Sequence, residues 1–307
     1  MHTQALFTES RLHKMQQAFK WVVYTLLIIN FVFYFLEDWD RATHILREGS
    51  TWLERSSEFA TSIDEIAWFL LLFMFELETY TLSDEAWKGW VAHAVRGTRV
   101  FCYLLLAHTI VAYVVAVIDL HPTTPVQGVS DLCMLTDADV SYVKNLAYTV
   151  VDQQSCSDLS EDTRFFWVTE SAVVTDAEGL ALEKDLAWVD LIEAVVWLLI
   201  ILAIEMVVRL HGHGVTRGPV IATGNAIKLF LYLVLLAAAV YWATLSHWLY
   251  FWDELLWIGG FAVIEMNVSE WSNDLEEEDR VIDASGGSGS QGDSYNFDRG
   301  NAGTDSS

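Results

Sequence analysis

The stretch VDLIEAVVWLLIILAIEMVVR, residues 189–209, decides how this chain is read. Between Asp190 and Arg209 its charged residues are Glu193 and Glu205, set in an apolar run. At about 1.5 Å per residue, Asp190 to Arg209 measures roughly 28 Å, close to the hydrocarbon thickness of a bilayer. The stretch therefore reads as a transmembrane helix with each glutamate about one turn inside its own interface.

Its pattern occurs three times. An acid is followed three or four positions on by a Trp, and a Glu stands eight positions after the Trp: Glu65, Trp68, Glu76; Glu193, Trp197, Glu205; Glu254, Trp257, Glu265. Ile66 to Phe75 are all apolar, so the second carboxyl of that copy falls where a charge is expensive. In the first and third copies the two Glu are eleven apart, about three turns, and share a helix face; in the second they are twelve apart and rotated by about a third of a turn.

The rest of the chain fits a membrane frame. It has 307 residues, 53% of them apolar, with 14 Trp and a mean hydropathy of +0.30, and soluble domains do not have that profile. Six candidate spans cover 19–37, 63–80, 100–120, 189–209, 227–247 and 252–269. Pro122, Pro125 and Pro219 all lie between them. The expected fold class is an all-α membrane protein of six transmembrane helices, arranged as three helical hairpins, with a small extracytoplasmic cap between helices 3 and 4. The segments are a cytoplasmic N-terminal piece at 1–18, helices 1–3 within 19–120, the cap at 121–188, helices 4–6 within 189–271, and a disordered acidic tail at 272–307.

Positive charge sets the orientation. Arg11, Lys14 and Lys20 precede the first span, Lys88, Arg96 and Arg99 separate the second and third, and Arg209, Arg217 and Lys228 flank the fourth-to-fifth connection. These regions belong in the cytoplasm, which puts both termini inside a cell membrane and 121–188 outside. Arg41, Arg47 and Arg55 in the first outer loop weaken the bias. Past its apolar core the first span continues as Phe35-Leu36-Glu37-Asp38-Trp39, without a small-residue cleavage site, so it is expected to stay as an anchor.

The outer segment carries 12 acidic and three basic residues and is rich in Val, Tyr and Phe, as a folded cap would be. Cys133 and Cys156 are the two cysteines placed outside, where a disulfide between them is expected; unpaired, they would be buried thiols. Cys102 falls within a span as a small packing residue. The net charge of -25 sits largely in cap and tail. It makes nucleic acid a poor partner, and as an acidic solubility adaptation it implies no ligand.

With all three motif copies running from outside to inside, Glu76, Glu205 and Glu265 would form an inner ring of carboxylates, and Glu65, Glu193 and Glu254 an outer one. Oxygen-rich rings select cations and also carry protons. The bland alternative is that each Glu snorkels or pairs locally, as Glu205 would with Arg209 one turn on. Trp68, Trp197 and Trp257 read as aromatic anchors at the outer interface.

Other features carry less. His108, midway along the third span, is a candidate proton relay or a hydrogen-bonded core histidine. His211 and His213 lack a nearby Cys or acid to complete a metal site, and no metal site is assigned. Catalytic motifs are missing, so neither an enzyme nor a cofactor is expected. The expected partners are the bilayer, small cations and further copies of the chain. The functional expectation is a channel or transporter of small cations or protons; the alternative is a non-transporting sensor or assembly protein acting through its cap.

Overall fold

Long apolar runs with hydrophilic connections leave the backbone little choice but helix, and the helix limits follow local signals. The structure, a computed structural model, describes residues 2–80, 89–169, 171–212 and 218–261. Its helices are α1 (His2–Ile45), α2 (Trp52–Glu58), α3 (Ala60–Tyr80), α4 (Trp90–Leu120), α5 (Ala177–Gly212) and α6 (Pro219–Thr244). A further helix, α7, covers 248–261. The chain divides into two units, Met1–Trp257 and Ile258–Ser307, and the fold and site below belong to the first.

Capping explains several boundaries. Thr51 and Glu54 close a reciprocal capping box that starts α2. Pro219 takes the first turn of α6, where its missing N–H costs nothing. Gly218 precedes it at φ 129°, a conformation that side chains resist.

Among the described residues four helices are long and apolar enough to cross a membrane: 18–45 within α1, Trp90–Leu120, Ala177–Val207 and Pro219–Thr244. Their most apolar windows are only 22% to 28% buried within the chain. Trp21, Leu104, Leu199, Leu229 and Phe230 are instead exposed, as lipid-facing side chains are. Small residues fill the helix contacts: Cys102, Ala112, Ala203 and Ala239 are buried. At Gly224 a Cβ would come within 3.2 Å of Val207 Cγ2, so the glycine sets how closely α6 approaches α5.

Four of the six expected spans coincide with these helices; residues 63–80 are helical within α3 and 252–261 within α7 but are not among the four, while 262–269 lie outside the described residues, as does the tail. Among the described helices the packing runs on along the chain, α1 on α3, α3 on α4, α4 on α5 and α5 on α6, which does not single out the three expected hairpins.

The all-helical expectation needs correction in the cap. Residues 121–176 form a five-stranded sheet of β1 (Thr124–Pro125), β2 (Ser141–Lys144), β3 (Ala147–Val150), β4 (Phe165–Thr169) and β5 (Val173–Asp176). The order is β1-β4-β5-β2-β3, antiparallel except for the parallel pair β2 and β5. β-Branched and aromatic residues in runs of four or five, between turn residues, favour strands over helix. The cap has its own core, with Leu132, Val140, Tyr142, Phe165 and Val174 among its buried members. Cys133 and Cys156 are joined by a disulfide.

The cap is fastened at several points. Between β2 and β3, Asn145 and Leu146 both take positive φ, 58° and 60°, the two-residue turn that matches hairpin twist. Asn145 donates to the Leu245 carbonyl at 3.1 Å and bonds His247 Nε2 at 3.0 Å, and the Leu146 N–H reaches Glu183 Oε1 at 3.1 Å. From α1, His44 Nδ1 bonds Ser141 Oγ at 2.8 Å and its ring stacks on Tyr148. β5 runs directly into α5, and Asp176 caps that helix by accepting from the Gly179 N–H at 2.7 Å.

Candidate functional site

Acidic side chains in apolar helices have two ways to avoid lipid: reach an interface or turn into the bundle. The outer carboxyls of all three motif copies turn in. Glu65 and Glu254 are 6% and 8% exposed, and Glu193 is half-buried.

Each is met by an indole. Trp257 Nε1 donates to Glu65 Oε1 at 3.3 Å, and Trp197 Nε1 donates to Glu254 Oε1 at 3.1 Å. Trp242 Nε1, from α6, lies 3.0 Å from both oxygens of Glu193. Trp68 Nε1 turns back to Asp64 Oδ2 on its own helix at 2.9 Å. The Trp68 ring lies 5.8 Å from that of Trp197 and 5.9 Å from that of Trp257, so the three motif tryptophans form one buried cluster. Instead of facing lipid as anchors, all three are under 9% exposed. An indole N–H in a dry bundle needs an acceptor, and these carboxyls supply it.

The remaining carboxyl contacts are with other acids. Glu65 meets Asp253, and Glu254 meets Glu193, each within hydrogen-bonding reach. Glu65 Oε2 and Glu254 Oε2 are fully shielded and find no donor among the described residues. Asp253 also accepts from the Asn30 amide at 2.9 Å and from the Tyr34 hydroxyl. An ionised carboxylate is acceptor-only, so a hydrogen bond between two carboxyls needs one proton between them. Among the described residues the donors that reach these four acids are neutral: three indoles, an amide and a phenol.

A second layer nearer the cap is charge-paired. Arg41 lies 3.1 Å from Asp38 Oδ1 and 3.3 Å from Glu58 Oε2 and donates to the Glu58 carbonyl. Asp38 Oδ2 accepts from the Ser62 N–H and hydroxyl at 2.9 and 2.7 Å. Burial pushes the Glu58 carboxyl above its ordinary range, and the Arg41 charge only partly reverses this. Glu37, on the same stretch of α1, accepts from Tyr250 at 3.0 Å, and the Tyr250 ring stacks on Trp242 at 4.7 Å.

Of the three inner glutamates, the side chain of Glu205 alone is among the described residues. Glu205 pairs with Arg209 at 2.6 Å on the surface of α5, which is the local alternative. The side chain of Glu76 and all of Glu265 lie outside the described residues, as do the His211 side chain and His213. His108 Nε2 is shielded and makes no hydrogen bond among the described residues.

The sequence reading passed over Asp64, Asp253, Trp242, Asn30 and Tyr34. A signal for the two aspartates was available: Asp64-Glu65 and Asp253-Glu254 are doubled acids, each ending three residues before a Trp. Nothing local marked the other three. Among the described residues no group of three or more His, Cys, Asp or Glu is placed to hold a metal ion. Comparison of the chain with known protein families, curated proteins and solved structures finds no match.

Proposed function

We propose that this is a membrane protein that binds and moves small cations, protons included, through the buried carboxyl cluster of Glu65, Asp253, Glu193 and Glu254. The observation that carries the reading is the meeting of acid with acid inside the bundle. A carboxyl withdrawn from water into a helix bundle is costly unless it is paired, and a bundle held together for support alone has no need of four. Four apolar helices of spanning length support the membrane setting. Within this reading the chain spans a cell membrane six times, both termini are cytoplasmic, and the cap stands over the outer end of the cluster.

The several fastenings of the cap favour a second reading, a sensor whose cap passes a signal to the helices without transport. Reconstitution separates the two. Purified protein in liposomes is assayed for proton, sodium, potassium and divalent fluxes, beside Glu65→Gln and Glu254→Gln. The transport reading expects flux in the wild type that both variants lose. Folded protein that moves no ion faster than empty liposomes supports the sensor.

A further inference from the structure

Which cation the cluster takes can be read from how its oxygens are already used. Glu65 Oε1 is occupied by the Trp257 N–H, Glu254 Oε1 by that of Trp197, both Glu193 oxygens by that of Trp242, and Asp253 Oδ1 by the Asn30 amide. Each of these donors turns a hydrogen toward the carboxyls. A metal ion would face those partial positive charges, and hard cations such as calcium or magnesium gather about six to eight oxygens. What the cluster leaves over is Glu65 Oε2 and Glu254 Oε2, shielded and without a donor among the described residues.

We infer, building on the transport reading above, that the cargo is the proton, held as one shared proton in each of the carboxyl pairs Glu65–Asp253 and Glu193–Glu254. A proton needs only the two oxygens that each pair presents. It supplies the missing donor: the O–H of one carboxyl bonds to an oxygen of the other, and the pair carries one negative charge. Release breaks that O–H bond, sends the proton to water or the next carboxyl, and leaves two negative charges in contact in a dry interior. Uptake reverses both changes, so the pair recharges readily.

The groups that surround the pairs are mostly acidic or neutral. Glu65 faces Asp64 on its own helix, Asp253 and Trp257 on α7, and Tyr34 on α1. Glu254 faces Asp253 on its own helix, Glu193 and Trp197 on α5, and Asp64 on α3. Glu193 faces Asp190 on its own helix, Trp242 on α6 and Glu254 on α7. Arg41 is bound to Asp38 and Glu58, nearer the cap.

Glu65→Gln and Glu254→Gln are apt probes, because a Gln amide donates to the partner acid as a protonated Glu does and so keeps the pair bonded without a mobile proton. Wild-type proteoliposomes in a bulky organic cation, with no sodium or potassium gradient, are driven by an applied membrane potential and read with an internal pH dye. Proton flux is expected, and each Gln variant falls to the level of empty vesicles. Infrared spectra of the same samples are expected to show the carbonyl stretch of a protonated carboxyl, weakened in each variant; this readout and a Trp-fluorescence melting curve hold even where flux is lost through misfolding. Sodium, potassium or divalent flux that depends on Glu65 and Glu254, without proton flux, would overturn the proton assignment and keep the transport reading. No flux of any ion from folded protein overturns both.

Discussion

Trp197 Nε1 donates to Glu254 Oε1 at 3.1 Å, so the indole of the second motif copy caps the carboxyl of the third. Trp257 of the third copy caps Glu65 of the first in the same way. The first copy breaks the cycle: Trp68 bonds Asp64 beside it, and Glu193 of the second copy is capped by Trp242 from α6. The spacing repeat is thus also a repeat of interactions, closed on two sides out of three.

Removing one cap tests that relationship. Trp197→Phe keeps an aromatic ring but deletes the N–H, leaving Glu254 Oε1 buried without a donor, a loss of about 1 to 3 kcal/mol. A lower melting temperature in detergent is the expected result. Combined with Glu254→Leu, which removes the acceptor as well, the double variant should lose less than the two single losses added together. Strict additivity would mean that the bond contributes nothing.

Asp176 links cap stability to pH. Burial alone would raise its carboxyl, but hydrogen bonds from Tyr142, the Gly179 N–H and Ser160, with the nearby Lys144 charge, hold it below the ordinary value. Its folded value is lower than its unfolded one, so the stabilisation is present above about pH 3.9 and lost as the pH falls through the folded value. Asp176→Asn should therefore melt lower than the wild type near neutral pH, and the gap should close on acidification. A gap independent of pH would contradict this.

The disulfide holds the cap's irregular half. Cys133 and Cys156 are 23 residues apart, and closing a loop of that length removes about 3 kcal/mol worth of unfolded-state freedom. Reduction, or paired Cys133→Ala and Cys156→Ala, should speed amide exchange in the cap strands and leave α4 and α6 little changed. Equal acceleration throughout would show that cap and helices unfold as one.

Leu146 is strained where it stands. At φ 60° a Leu side chain crowds its own carbonyl at a cost of about 1–2 kcal/mol, whereas Asn145 beside it tolerates such a conformation. Leu146→Gly should raise stability by about 1 kcal/mol, and Leu146→Val should lower it, because β-branching suits positive φ least. Both are read from the thermal midpoint.

Much of this protein is legible in its residue order because lipid is an unforgiving solvent. Helices follow from apolar length, as 189–209 illustrates within α5, and the acid and Trp spacing marks where charge enters the bundle. The cap's strands were less legible: Ser141–Lys144 and Ala147–Val150 are short, and their sheet depends on β5 arriving beside β2 from 32 residues on, Val173 opposite Ser141. The weighting of inner over outer glutamates also came from spacing alone. Glu205 is satisfied by Arg209 one turn away, while Glu65 finds its partners on α7.

By itself, then, the sequence determined that apolar helices carry acids at repeated depth and that an acidic folded segment lies between them, since hydrophobic length and helical period are local properties. Which acids meet was decided only by the tertiary structure. The Trp257 bond to Glu65 joins residues 192 positions apart, and no local rule specifies which side chain will share a dry interior with a buried carboxyl. Packing of α3, α5 and α7 brought Glu65 to Asp253 and Glu254 to Glu193, because a carboxyl withdrawn from lipid must take its hydrogen bonds from whatever the neighbouring helices present.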